Sequence, residues 1–328
     1  MILTVITAFI VSSAISLLLA RTRGRWQILD IPNDRSLHAH PVPRTGGIAL
    51  LAGLVAGLVT AWLWKGVVLI SWPLTLAITL LAGIALIDDR HTLGAAPRLS
   101  MQVLAVCVLL LSAVSDPVDT LTVVTAGLFL LWMINLYNFM DGMDGFAGGM
   151  AVIGFGTYAL LAWLAGDTGF ALGCAIVAAA AAGFLLLNFP PAQLFMGDSG
   201  STVLGLLAGV VILQAHTRGI LSVWLGLLVF SPFIADASVT LISRLLRGEK
   251  VWLPHKTHYY QKLVEFGWGH KRTVLAEYTL MIACGGSAMA AATQSLWCQT
   301  VIIAGWALIY ITLIYLIHRA APRRGTQT

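Results

Sequence analysis

Apolar residues run along the chain in windows of about twenty, at roughly 2–20, 46–64, 67–87, 99–114, 120–137, 146–165, 168–187, 199–215, 219–246, 273–293 and 299–317, with short polar breaks between them. Within the windows there is no polar alternation, so closed β-barrel strands do not fit, whereas an α-helix of this length crosses hydrocarbon. The pattern predicts an all-α, polytopic integral membrane protein with about 11 transmembrane helices. The ninth window is unusually long and contains "SPFIADASVT". Pro232 there breaks or kinks the helix, and Asp236 follows one turn later, as expected of a broken helix that lines a cavity or a protein interior. The opening "MILTVITAFIVSSAISLLLA" lacks a basic segment before its apolar run, so it reads as an uncleaved first span. With no internal repeat, low-complexity segment or linker, residues 1–328 read as a single polytopic membrane domain.

Charge orients this pattern. If the N-terminus is periplasmic and the C-terminus cytoplasmic, the breaks on the inner side carry 17 of the 19 lysines and arginines, leaving only Lys65 and Arg218 outside. The cytoplasmic loops then lie near 21–45, 88–98, 138–145, 188–198 and 244–272, and the outer loops are too short for an external domain. Only 10% of residues are charged and 59% are hydrophobic, so the net charge of +5 belongs to topology and gives no sign of a nucleic-acid partner. Cys107, Cys174, Cys284 and Cys298 lack disulfide or zinc spacing and read as small buried hydrophobes.

Candidate chemistry gathers on the inner side. "IDDR" carries Asp88 and Asp89, "NLYNFMDGMDG" carries Asn138, Asp141 and Asp144, "LNFPPAQLFMGDSGS" carries Asn188, Phe195 and Asp198, and Asp236 stands near the helix break. Carboxylates clustered on one face repel unless a cation compensates them. Magnesium, held by one or two carboxylates plus substrate phosphates, is the expected cofactor, with manganese as a substitute. Positive partners for a phosphate come from two loops. In "DIPNDRSLHAHPVPRTGG", Pro32, Pro41, Pro43, Gly46 and Gly47 exclude a helix and hold Arg35, His38, His40 and Arg44 in a turn-rich loop. In "RGEKVWLPHKTHYYQKL", His255 and His258 are three apart, which on a helical turn points both imidazoles one way. Gly142, Gly145, Gly197 and Gly200 beside the acids allow backbone amides to approach an anion, and Ser199 and Ser201 open the next helix.

These motifs, in this order, resemble the polyprenyl-phosphate N-acetylhexosamine-1-phosphate transferases, a family that includes the phospho-N-acetylmuramoyl-pentapeptide translocase. The resemblance extends from "PNDRSLHAHPVPRTGG" to "HKTHYYQKL", most of the chain. It implies transfer of a sugar 1-phosphate from a UDP-activated amino sugar to undecaprenyl phosphate at the bacterial inner membrane, with release of UMP and the active site facing the cytoplasm. It also implies that Asp198 is the magnesium ligand, Asp88 and Asp89 the catalytic pair near the lipid phosphate, and Asn138 and Asp141 part of the nucleotide pocket. Asp144, Asn188 and Phe195 would hold the uracil, Phe195 by stacking, and His255 and His258 would contact the diphosphate or sugar. The peptidoglycan enzyme has three consecutive histidines; His-Lys-Thr-His here resembles instead the O-antigen and capsule-initiating branch. Its sugars include N-acetylglucosamine, N-acetylfucosamine and N-acetylquinovosamine.

The expected step is attack of a lipid phosphate oxygen on the sugar-linked phosphorus, with Arg35, Arg44 and the histidines offsetting the repulsion between two polyanions. Direct attack and a covalent aspartyl-phosphate intermediate both remain open, as do monomer and homodimer. A secondary transporter coupling through its carboxylates is the main rival, but such proteins place ionisable groups near the bilayer midplane rather than at span ends.

Overall fold

A backbone in hydrocarbon has no water to bond, so each apolar window closes its own hydrogen bonds as a helix. The computed structural model describes residues 1–22, 28–32, 37, 40–91, 93–111, 119–250 and 255–320. In chain order the helices are α1 (Ile2–Arg21), α2 (Gly46–Lys65), α3 (Trp72–His91), α4 (Ala95–Leu111), α5 (Thr120–Phe139), α6 (Phe146–Leu164) and α7 (Thr168–Asn188). They continue with α8 (Asp198–Thr217), α9 (Val223–Val229), α10 (Ser231–Leu246), α11 (Tyr259–Leu263), α12 (Gly269–Ala291) and α13 (Leu296–Ala320). Among the described residues, nine helices are long and apolar enough to cross a membrane, or ten if the bent pair α9–α10 counts as one span. The expected eleventh, α4, is an apolar helix described over 17 residues, Ala95–Leu111. The chain is a multi-span α-helical membrane protein.

Two further differences from the window pattern have physical causes. The window at 67–87 becomes helical only from Trp72; Gly66, left-handed at φ 64°, ends α2, and Val67–Ile70 form an apolar segment outside the helices. Cys107 is exposed rather than buried, because the outer face of a membrane helix such as α4 meets lipid and needs no protein cover. Cys174 and Cys284 are buried as expected.

Small residues let the helices approach closely. Gly53 of α2 and Gly183 of α7 both press against α1 near Ser12, whose hydroxyl donates to the Ala180 carbonyl at 2.7 Å. Gly205 and Gly209 bring α8 against Met133 of α5. α8 is thereby enclosed along most of its length, and its first residue is Asp198. The α9–α10 break bends the chain by 87° at Phe230, with Pro232 in the first turn of α10, where its missing N–H is harmless.

The two ends of the bundle differ. Exposed Trp62, Trp64, Trp72, Trp163, Trp224 and Trp297 all sit where helices terminate at one end, as an aromatic belt does at a membrane surface. The opposite end holds Asp88, Asp141, Asp198 and the histidine loop. There β1 (Leu29–Asp30) and β2 (Val42–Pro43) form a two-residue antiparallel ladder in the loop expected to be turn-rich.

Candidate active site

The loop before α2 is stitched to the loop before α8 by backbone hydrogen bonds. Phe195 N–H donates to the Pro43 carbonyl at 2.7 Å, Gly46 N–H to Phe195 at 2.8 Å and Gly47 N–H to Met196 at 2.7 Å. The register needs glycine: a Cβ on Gly47 would strike the Gly200 backbone, and one on Gly200 would lie 2.9 Å from the Gly47 Cα. The N-termini of α2 and α8 are therefore held side by side, each with its partial positive charge toward the same end. Gly197, at φ 72°, turns the chain into α8, and a Cβ there would lie 2.6 Å from the Arg44 carbonyl oxygen and 3.2 Å from Asp89 Oδ2.

This turn brings carboxylates from separate elements together. Arg98, at the start of α4, places Nη1 3.2 Å from Asp88 Oδ2 and 3.4 Å from Asp198 Oδ2, so one guanidinium nitrogen bridges the end of α3 and the start of α8. Asp88 also accepts the Leu93 N–H. Buried Asp89 has Arg44 on it twice: Nη2 donates to the Asp89 main-chain carbonyl at 2.6 Å, and Nε lies 3.6 Å from its Oδ1. Among the described residues, Asp89 Oδ2 is a buried acceptor with no hydrogen-bond partner. Asn138 donates to Ser201 Oγ at 2.9 Å from the last turn of α5. Asp141, in the turn after α5, is recessed yet partly exposed. Lost hydration first, then the charges of Asp198, Asp89 and Asp30, push its carboxyl well above the usual carboxylate range.

Carboxylates that raise one another and a buried unpartnered oxygen describe a site short of positive charge. Among the described residues, no three His, Cys, Asp or Glu side chains form a group that could hold a metal ion by itself. Hard oxygen donors in ones and twos fit magnesium, which keeps waters and completes its shell with substrate phosphates. Asp198 is the best placed of them, with 30% of its side chain exposed where Asp89 is closed off. Beside it opens a cavity of about 410 Å³ between α3, α4, α5 and α8. Leu81, Ile84, Leu99 and Phe139 wall it, and Arg98, Asn138 and Asp198 form its polar end.

The other expected pocket residues have contacts of their own. Asn188 is buried and uses both ends of its amide: Oδ1 accepts from Gly145 N–H at 3.0 Å and Nδ2 donates to the Leu194 carbonyl at 3.0 Å. Asp144 accepts from Ala192 N–H at 3.0 Å and lies 3.1 Å from Nδ1 of His270. His270 Nε2 in turn reaches the Leu37 carbonyl at 3.1 Å. Asn188 and Asp144 thus tie the loops around 145 and 192–194 together, while Phe195 is half-buried beside them.

Asp236 does not join the Asp88–Asp198 group. Its Oδ1 accepts from His258 Nδ1 and Tyr259 N–H, both at 3.0 Å, and from Thr240 at 3.1 Å, while Oδ2 accepts Tyr260 N–H at 3.0 Å. One carboxylate from the broken helix therefore caps the first turn of α11 and fixes a histidine. His255 and His258 do not share a helical turn: His255 lies in loop and His258 immediately precedes α11. Their rings are nonetheless 4.9 Å apart, because the cap draws the loop back on itself. Gln261 and the Tyr137–Phe233–Phe146–Tyr260 aromatic stack, with neighbouring rings 4.7 to 5.1 Å apart, anchor that loop to α5, α6 and α10.

Arg35 and His38 lie outside the described residues. Arg98 and His270 were missed by sequence reasoning. Arg98 stood in an inner loop rich in ordinary topology-setting charge, and its position nine residues after the Asp pair was its only mark.

Residues 71–216 match the family described as glycosyl transferase family 4. The chain is 29% identical over 318 residues to the probable undecaprenyl-phosphate N-acetylglucosaminyl 1-phosphate transferase of Bacillus subtilis, covering 91% of this chain and 88% of that protein. It is 30% identical over 315 residues to the decaprenyl-phosphate N-acetylglucosaminephosphotransferase of Mycobacterium leprae, with 83% and 79% covered. It is also 29% identical over 252 residues to the phospho-N-acetylmuramoyl-pentapeptide-transferase of Lacticaseibacillus paracasei, with 69% and 76% covered. The chain belongs to glycosyl transferase family 4, in its branch of polyprenyl-phosphate hexosamine-1-phosphate transferases.

Proposed function

We propose that this protein transfers an N-acetylhexosamine 1-phosphate from its UDP-sugar to undecaprenyl phosphate, releasing UMP and starting a lipid-linked glycan such as O-antigen. The observation that carries this reading is the Asp88–Arg98–Asp198 bridge at the polar end of an apolar cavity. A lipid phosphate needs such a place, with greasy walls for an isoprenoid and a guanidinium beside carboxylates for its head. The names of the relatives from Bacillus subtilis and Mycobacterium leprae favour N-acetylglucosamine as the sugar. The inner leaflet as the location of the site rests on the excess of lysine and arginine at that end.

In the proposed reaction an oxygen of the lipid phosphate forms a bond to the sugar-linked phosphorus as the bond from that phosphorus to the UMP oxygen breaks. A phosphate monoester has its second pKa near ~6, so the nucleophile is mostly dianionic and needs placement more than deprotonation. Arg98 meets the incoming phosphate, and Asp88, one hydrogen bond behind it, orients the guanidinium. Arg44 keeps Asp89 and the Gly197 turn in place, which aims the N-terminus of α8 at the diphosphate. Magnesium at Asp198, when bound, would supply charge neutralisation for the diphosphate and the departing UMP.

A secondary transporter fits less well, since Asp141 and Asp198 stand at helix boundaries and Asp88 in the last turn of α3, rather than midway along spans. Incubating membranes containing the protein with undecaprenyl phosphate and a panel of UDP-sugars, then weighing the lipid product, tests the proposal. A lipid heavier by one sugar phosphate is expected with at least one N-acetylhexosamine donor; no new lipid with any donor would refute it.

A further inference from the structure

The end of the bundle opposite the carboxylates holds a second cavity, of about 310 Å³. Asp167 and Arg218 stand at its mouth, where α7 begins and α8 ends. From there it reaches down to Val177, ten residues from Asp167, and to Leu207, eleven residues from Arg218. At about 1.5 Å per helical residue this is a depth of about 15 Å, half of a hydrocarbon core about 30 Å thick. Leu54 and Phe155, each 2% exposed and midway along α2 and α6, line its deep end. The void is one leaflet deep, apolar below and charged above, and water in its depth would lack the polar partners it needs. Gly169 and Gly173 face it from α7. Among the described residues, a Cβ on Gly173 would meet nothing within 4 Å, and one on Gly169 only Asp167 Oδ1 at 3.8 Å. Gly183 of the same helix brings α1 close; these two leave the wall bare instead.

We propose that this cavity is a phospholipid site, holding one acyl chain of the leaflet at the tryptophan end with an ethanolamine headgroup on the Arg218–Asp167 pair. Depth and charge select this occupant. A chain as long as one leaflet fills the void from its deep end to its mouth, and exposed Trp62, Trp72 and Trp163 set that mouth at headgroup level. The mouth offers one charge of each sign: Arg218 Nη1 lies 2.6 Å from Asp167 Oδ2, with the side chains 44% and 29% exposed. A guanidinium has five N–H donors, so Arg218 can hold a phosphate oxygen while it keeps Asp167. Asp167 Oδ1 caps α7 by accepting Phe170 N–H at 2.9 Å, and the carboxylate has lone pairs left for an ammonium. Phe170, with its ring centroid 5.0 Å from the guanidinium carbon, holds Arg218 over the opening. A lipid of net negative charge leaves Asp167 uncompensated once its phosphate has taken Arg218; a zwitterion matches both charges. Arg218 follows Asp198 by twenty residues along α8, about 30 Å, so this lipid is not the phosphate acceptor. It braces the far end of the helix that begins with Asp198.

Native mass spectrometry of the full-length, detergent-solubilised protein tests this, with phosphatidylethanolamine, phosphatidylglycerol or undecaprenyl phosphate added at equal concentration. Wild type is expected to retain one phosphatidylethanolamine per chain, about tenfold more strongly than either anionic lipid, the worth of one hydrogen bond to a charged group. Gly173→Leu puts a side chain into the void and should lower that retention by about tenfold or more. Arg218→Gln should cancel the preference between headgroups. Because Arg218→Gln alters only an exposed side chain, it decides the matter if the leucine variant does not fold. Equal retention of the three lipids by wild type, stronger retention of an anionic one, or a preference unchanged in Arg218→Gln would overturn the proposal.

Discussion

Arg44 donates a 2.6 Å hydrogen bond to the main-chain carbonyl of Asp89, joining the loop before α2 to the last turn of α3. Its Nε at 3.6 Å from the Asp89 carboxylate makes the contact a fork, which a single ammonium cannot reproduce. Arg44→Lys should therefore behave as a loss: turnover falls about 10- to 100-fold, the worth of a hydrogen bond to a charged group. Steady-state UMP release reads this directly. A lysine variant at wild-type rate would show that only positive charge matters at this position.

Gly197 leaves no room for a side chain. Alanine there would adopt φ 72° and push its Cβ to 2.6 Å from the Arg44 carbonyl oxygen. The backbone conformation alone, φ 72° with ψ 171°, costs about 1–3 kcal/mol, and the clash adds to it. Gly197→Ala should lower Tm and abolish activity together, because the same turn sets the direction of Asp198. Thermal unfolding followed by intrinsic fluorescence checks the first effect; an unchanged Tm would contradict the packing.

Burial depresses the His255 imidazole and so gives the stability of the protein a pH dependence. An unfolded histidine takes its proton near ~6.5, whereas the native ring stays neutral down to about 4. Between those values the unfolded state binds more protons, so stability increases with pH and is lost on acidification from ~6.5 toward 4. His255→Gln should flatten part of that slope in a Tm-against-pH series. Parallel slopes in the two proteins would remove His255 as a source.

Arg98 occupies the space between two carboxylates that also suit a divalent cation. With Arg98→Gln the guanidinium no longer competes, and Asp88 and Asp198 repel at close range. Added magnesium should then raise Tm more in Arg98→Gln than in wild type, although UMP release falls. Equal magnesium-induced shifts in both proteins would place the cation elsewhere.

Much of this architecture was legible in sequence because lipid permits so few backbone solutions. The broken ninth span, the Asp198 turn and the polar end of α5 were visible because acids and glycines are conspicuous among leucines. The partners of those acids were not visible. Asp236 looked like one more member of an acidic cluster, and only the return of the chain at 258–260 makes it a helix cap. The main-chain contacts of Asp144 and Asn188 around 145 and 192–194 were equally hidden, since no motif reveals them. Arg98 escaped notice because its approach to α8 depends on how α3 turns, which periodicity does not encode. The histidine spacing suggested a shared helical turn; a capped loop brings the rings together instead.

Carboxylates from α3 and α8 are expected to serve phosphoryl transfer to a lipid phosphate. Purified wild type and Asp198→Asn can be assayed for UMP release from UDP-N-acetylglucosamine, with and without undecaprenyl phosphate and magnesium. UMP should appear only in wild type and only when both the lipid phosphate and the metal are present. Wild-type release by Asp198→Asn, or UMP formed without the lipid phosphate, would contradict the account.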